Sequence, residues 1–118
     1  MPNVQSDTNS LKKILAGIAK NRQTIDYKTL TAMLGHTPPN SIQKTTILLE
    51  ACQEDDALLN LPQLASVVIQ KNGTPFPRPG FFQKLTEVGV YKGSDSGADA
   101  QMWHQNELEK VYRHYADR

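Results

Sequence analysis

One cysteine, three histidines and a run of three acids are the residues of this chain best equipped for catalysis or metal binding. Cys52 is expected on the inner side of a helix with Leu48 and Leu49, and its nearest charged neighbours in sequence are acids. A nucleophilic thiol wants an electropositive, partly exposed setting, so Cys52 reads as a buried structural thiol. His36, His104 and His114 form no ligand set. The last two are expected on one helix, with no cysteine or carboxylate at ligand spacing to complete a site. His104 reads as a core or boundary group. Glu54-Asp55-Asp56 sits at a helix end, where successive side chains fan apart and the dipole disfavours anions, so a solvated end is expected. A Walker loop, a dinucleotide-binding glycine pattern and a nucleophile elbow are all absent from the sequence. The expectation is a protein that is not an enzyme, with no cofactor and no metal.

The remaining chemistry is that of nucleic-acid contact. Asn40, Ser41 and Lys44 fall in the first turn of a helix, and Gln43, Thr46 and Glu50 share its outward side. Asn and Gln pair bidentately with adenine edges; Ser, Thr and free helix N-terminal amides bind phosphate. Lys28 precedes this helix, while Lys71, Asn72 and Arg78 follow it on and beside a turn. Glu50 and Glu54 would meet phosphates if the helix entered a groove deeply, so only its first two turns are expected near DNA. The helix has no arginine, the commonest reader of guanine.

Those side chains need two helices set by a tight break, and the stretch from Tyr27 to Glu54 supplies the signals. Tyr27, Leu30 and Leu34 lie on one face at helical spacing, Asp26 is a good N-cap, and Gly35 sits where a left-handed closing residue is wanted. Pro38-Pro39 forbids continuation. Asn40 or Ser41 then caps a second helix with Ile42, Leu48, Leu49 and Cys52 inward, ending near residues 56 to 59. A steep crossing of the two makes a helix-turn-helix, over about residues 26 to 58. Leu64 to Gln70 reads as the best strand, Lys71-Asn72-Gly73-Thr74 as a hairpin turn, and residues 74 to 78 as a proline-frayed return arm. Together, residues 64 to 78 form a wing, with Thr24-Ile25 able to pair beside it.

Around this unit, residues 1 to 8 read as a flexible N-terminus and 9 to 118 as one domain. A first helix is expected from Asn9 to Asn21 with a Leu11, Ile14, Leu15, Ile18 stripe. C-terminal helices are expected over 80 to 116: Phe81 to Val88, stopped by Gly89, and Ala98 to Tyr115. Val90-Tyr91 reads as a short extended piece and residues 92 to 97 as a polar loop. The last helix carries a core stripe of Leu108, Val111, Tyr112 and Tyr115, with His104 on the same face. Trp103, Glu107, Lys110 and His114 lie to one side. The expected fold class is mainly α with a small β-hairpin, a winged helix-turn-helix-like domain with an added C-terminal helix.

The size, 118 residues, suits one core without staples. The N-terminus shows no secretory h-region, no apolar run approaches a membrane span, and a single cysteine fits a reducing compartment, so a cytoplasmic protein with no membrane association is expected. The net charge of +1 hides segregation: +4 over residues 1 to 49, −4 over 50 to 60, +3 over 61 to 94 and −2 beyond. That pattern reads either as a phosphate-facing side with acids behind it or as a solvated surface.

From Thr24 to Phe82 the chain resembles the DNA-binding half of the O6-alkylguanine-DNA alkyltransferase and alkyltransferase-like family. The residues that carry the likeness are TIDYKTLTAMLG, then NSIQKTTILLE, then LPQLASVVIQKNGTPFPRPGFF. Tyr27 falls on the family's tyrosine, which presses on the backbone of a flipped nucleotide, and Gly73 and Gly80-Phe81 fall on its wing glycines. The resemblance implies winged-helix architecture and inherited DNA binding. It also shows departures: Ala65 holds the place of the reactive cysteine, Ser66 and Val67 that of the His-Arg after it, and Ser41 that of the base-flipping arginine. Methyl transfer is therefore excluded by chemistry.

Two functions remain in view. One is a non-enzymatic protein binding double-stranded DNA, mostly through phosphates. The other is a protein-interaction or regulatory adaptor module on a scaffold that no longer binds DNA, meeting a protein partner or a second copy through Trp103, Glu107, Lys110 and His114 on the C-terminal helix.

Overall fold

A computed structural model describes residues 4 to 70 and 76 to 116, with side chains from residue 7 onward. Among them lie five α-helices and one two-stranded sheet: α1 (Val4–Lys20), β1 (Ile25–Asp26), α2 (Tyr27–Met33), α3 (Ser41–Leu58), a 3₁₀ turn (Leu64–Val67), β2 (Val68–Ile69), α4 (Pro79–Glu87) and α5 (Gly97–Tyr115). No helix among these residues is long and apolar enough to cross a membrane.

α1 presents Leu11, Leu15 and Ala19 at four-residue spacing, all fully buried, with Ile14 and Ile18 packed at their edge. The helix begins five residues before the expected Asn9, so residues 4 to 8 are not a flexible tail. Thr8 is buried, which extends the inward stripe one turn further back than the apolar residues do.

Four helices close in the same way, although their closing residues differ. After α1, α2, α3 and α4 the chain turns through Arg22, Gly35, Asn60 and Gly89, each with positive φ. In each case the next amide reaches back to a carbonyl five residues earlier: Gln23 to Ile18, His36 to Thr31, Leu61 to Asp56 and Val90 to Leu85. This is the Schellman closure, which satisfies carbonyls left over at a helix end. Glycine announces two of these ends in the sequence; Arg22 and Asn60 do not have to be glycine but hold the same conformation.

α3 buries Thr45, Leu48, Leu49, Cys52, Gln53 and Asp56. Half of that face is polar, so apolar periodicity marks it poorly. Ile42, expected inward, is 41% exposed and stands outside the buried face that begins at Thr45. Asn40 precedes the helix in a left-handed conformation and makes no side-chain cap. The hydroxyls of Thr31 and Thr45 meet at 2.8 Å and join α2 to α3.

The expected strand over residues 64 to 70 is mostly absent. Leu64–Val67 coils into the 3₁₀ turn, and only Val68–Ile69 is extended. Two buried carboxylates explain this. Glu107 accepts the Gln63 amide at 2.7 Å and Asp56 accepts the Leu64 amide at 3.0 Å, so these donors are taken by side chains rather than a ladder. β2 pairs with β1 in parallel, Ile25 beside Val68 and Asp26 beside Ile69, not as an antiparallel hairpin. The turn expected at Lys71 to Thr74 lies outside the described residues. On either side of it the Gln70 amide donates to the Phe76 carbonyl at 2.9 Å, and Phe76 to Arg78 is irregular rather than a strand. Val90-Tyr91 joins no sheet, and Tyr91 turns inward onto Phe82 and Trp103.

The core gathers around the 3₁₀ turn, whose residues are all buried beneath α1, α3 and α5. His104 on α5 bonds through Nε2 to the Ser66 carbonyl at 2.8 Å, and its ring stands edge-on to Phe76 and Phe81. Truncating a fully buried leucine such as Leu15 to alanine would cost about 2–5 kcal/mol.

Candidate nucleic-acid interface

Tyr27 opens α2 directly after β1, and the Asp26 carboxylate before it accepts the Thr29 amide at 3.4 Å. Arg78 stands at the N-cap of α4, where Pro79 and its fixed φ begin the helix. The two meet. The Arg78 amide donates to the Tyr27 hydroxyl at 3.1 Å, and the guanidinium lies 5.6 Å from the centre of the tyrosine ring, within cation–π range. Arg78 Nη1 donates to Thr46 Oγ1 at 2.6 Å, and Thr46 passes its own proton to the Ile42 carbonyl at 3.0 Å. Three elements far apart in sequence, α2, α3 and the loop ahead of α4, thus converge on one half-exposed polar cluster.

Burial pushes the Tyr27 phenol up to about 12, with the Arg78 amide and charge acting the other way. The phenol therefore stays neutral in the physiological range and keeps a proton to give. Beneath the cluster is a hollow of about 20 Å³, lined by Leu49, Gln53, Ala65 and Phe81 and edged by Glu50. Such a space holds one water. Gly80 borders it: a Cβ there would lie 3.0 Å from Arg78 Nη2, so any side chain at position 80 crowds the guanidinium.

Of the residues expected to contact DNA, the structure brings Tyr27, Thr46 and Arg78 together. Lys28, Asn40, Gln43 and Lys44 are exposed on α2 and at the start of α3, and Ser41 is half-buried. Lys71 and Asn72 lie outside the described residues.

The stripe on α5 divides. Trp103 packs against Phe81, Phe82 and Tyr91, with ring centres 5.4 to 6.2 Å apart. Glu107 is 6% exposed and occupied by the Gln63 amide, so it points inward rather than toward a partner. Its spacing with Trp103 and Lys110 is real, but Trp103 turns toward α4 and Glu107 toward the Gln63 amide, so the two share no outward surface. Lys110 is exposed, with its ammonium 3.7 Å from Glu107, and the His114 ring stands edge-on to Tyr115.

Cys52 is fully buried, and burial followed by the nearby Asp56 pushes its thiol well above the usual range, as suits a structural residue. Burial raises Asp56 and lowers His104. Among the described residues no three metal-type ligands gather.

Sequence reasoning missed a buried polar group that ties α3 to α4, α5 and the start of the 3₁₀ turn. Gln53 donates to the Phe81 carbonyl at 2.9 Å, Gln63 Nε2 donates to the Gln53 carbonyl at 3.3 Å, and Asp56 and Glu107 hold the loop amides. Its one available signal is that Gln53 and Asp56 fall on the face carrying Leu49 and Cys52. In comparisons with known proteins, the chain matches no family model, no curated protein and no solved structure.

Proposed function

We propose that the chain is a non-enzymatic DNA-binding protein of winged helix-turn-helix type. It docks the α2–α3 pair and the loop ahead of α4 onto a duplex, mainly through phosphates. The observation that carries the reading is the Arg78 guanidinium resting between the Tyr27 ring and the Thr46 hydroxyl, with Lys28 and Lys44 exposed on the same two helices. A guanidinium has five donors, and the Thr46 bond uses one, so Arg78 is oriented yet retains capacity for a phosphate.

The resemblance to the alkyltransferase-like family agrees on two points. Tyr27 holds the place of a tyrosine that works on the DNA backbone, and Ala65, at the place of the reactive cysteine, lines the same hollow as Tyr27. The sole cysteine is buried on α3, which leaves no thiol to accept an alkyl group. A one-water hollow admits no base, which favours backbone contact over base extrusion in this conformation.

Titration of a labelled duplex at several salt concentrations tests the proposal. Four cations, Lys28, Lys44, Lys71 and Arg78, should give a log–log salt slope of about −3.6. Absence of binding at low salt, or binding indifferent to salt, would defeat it. The double change Lys44→Glu and Lys71→Glu should weaken binding while leaving the melting curve in place.

A further inference from the structure

Glycine weakens a helix unless something there requires it. Among the described glycines, Gly35, Gly89, Gly93 and Gly97 have positive φ, which accounts for them. Gly17 and Gly80 do not, and they lie within α1 and α4. A Cβ on Gly17 would meet nothing within 4 Å. A Cβ on Gly80 would meet Arg78, its three nearest atoms being Nη2 at 3.0 Å, Nε at 3.3 Å and Cζ at 3.6 Å. Both nitrogens lie closer than the carbon between them, so that point faces the Nε–Nη2 edge of the guanidinium rather than its flat face.

That edge is the unused one. Nη1 is the nitrogen bonded to Thr46, at 2.6 Å, and no described residue hydrogen-bonds to Nε or Nη2. Nε and Nη2 carry parallel N–H bonds, the fork that takes two oxygens of one phosphate. Bare Gly80 leaves this fork clear, on an arginine already held by Thr46 and the Tyr27 ring. A methyl at position 80 would stand before it, in space a phosphate oxygen needs, and the guanidinium would have to give by a few tenths of an ångström.

We propose that Arg78 grips a phosphodiester of the duplex through its two-pronged Nε–Nη2 edge, and that Gly80 is the positioning residue that keeps this edge clear. The inference rests on the DNA-binding reading above and adds the atoms of contact to it. At its second residue α4 gives up the helix stability that alanine would bring, and duplex affinity is what the glycine serves.

The experiment measures melting temperature and labelled-duplex affinity for matched alanine substitutions. Gly17→Ala should raise the melting temperature and leave affinity unchanged. Gly80→Ala should weaken duplex binding about five-fold, and that loss should vanish when Arg78 is already alanine. Without DNA, Gly80→Ala should raise the melting temperature more in the Arg78→Ala chain than in the unaltered one, which alone has a guanidinium to displace. Arg78→Lys, which keeps the charge and lacks the fork, should lose nearly as much affinity as Arg78→Ala. Affinity untouched by Gly80→Ala, an equal loss with and without Arg78, an equal melting gain in both backgrounds, or full affinity in Arg78→Lys would overturn the grip while the DNA reading stands. An unaltered chain that binds no duplex would overturn both.

Discussion

Two polar clusters flank α3, and they are built on opposite plans. In front, Tyr27, Thr46 and Arg78 bond mostly to one another while remaining half-exposed. Behind, Asp56, Gln63 and Glu107 are buried, and each carboxylate takes a main-chain amide of the loop that leads into the 3₁₀ turn. A carboxylate bonded to a buried amide can turn to a ligand only by weakening that support, and its loss strands a donor away from water. A half-exposed arginine held by a hydroxyl and a ring loses little when that bond is exchanged for a phosphate. The rear cluster therefore holds the fold, and the front cluster is where function is expected.

Substitutions can break that division. The largest effect should come from Glu107→Ala, which leaves the Gln63 amide without its acceptor. A loss of about 2–3 kcal/mol in stability is expected, read as a lower urea midpoint, with duplex affinity unchanged at temperatures where the protein remains folded. Arg78→Ala should invert the pattern. Stability should change by less than about 1 kcal/mol, since a single part-exposed contact is lost, while duplex affinity falls about ten-fold and the salt slope drops by about one unit. If the two variants behaved alike, the contrast between front and rear would collapse.

A smaller effect sharpens it. His104 is held below the ordinary imidazole range by burial, with its bond to the Ser66 carbonyl acting the other way. The unfolded chain then binds a proton more readily than the folded one, so stability should be complete above about pH 6.5 and decline as the pH falls through the lowered folded value. Denaturant midpoints measured from pH 7 down to pH 5 should fall less steeply for His104→Gln than for the unaltered chain. DNA affinity, corrected for the folded fraction, should not follow His104.

Helix positions were legible where apolar residues recur at helical spacing, as in α1 and α5, and where glycine or proline marks an end, as at Gly35, Pro79 and Gly89. What escaped were features set by distant polar partners. Leu64 to Val67 has the composition of a strand, yet coils because Asp56 and Glu107 take the amides at its entrance, one from eight residues before and the other from 44 residues beyond. Glu107 was expected on a surface stripe because periodicity places residues on a helix face without saying which face turns inward. Tyr27, Thr46 and Arg78 were each legible as polar contact candidates. Their meeting was not, because it depends on how the chain at Arg78 comes to lie against α2 and α3, at residues 51 and 32 positions away.

The bond from the Arg78 amide to the Tyr27 hydroxyl spans 51 positions of chain, and α4 starts at the very next residue. A tilt of the short helix α2 must therefore drag the root of α4 with it or snap one leash. Replacing the phenol by a phenyl ring would keep a flat platform under the guanidinium while cutting that leash, separating the grip of the arginine from the mechanical tie between two helices.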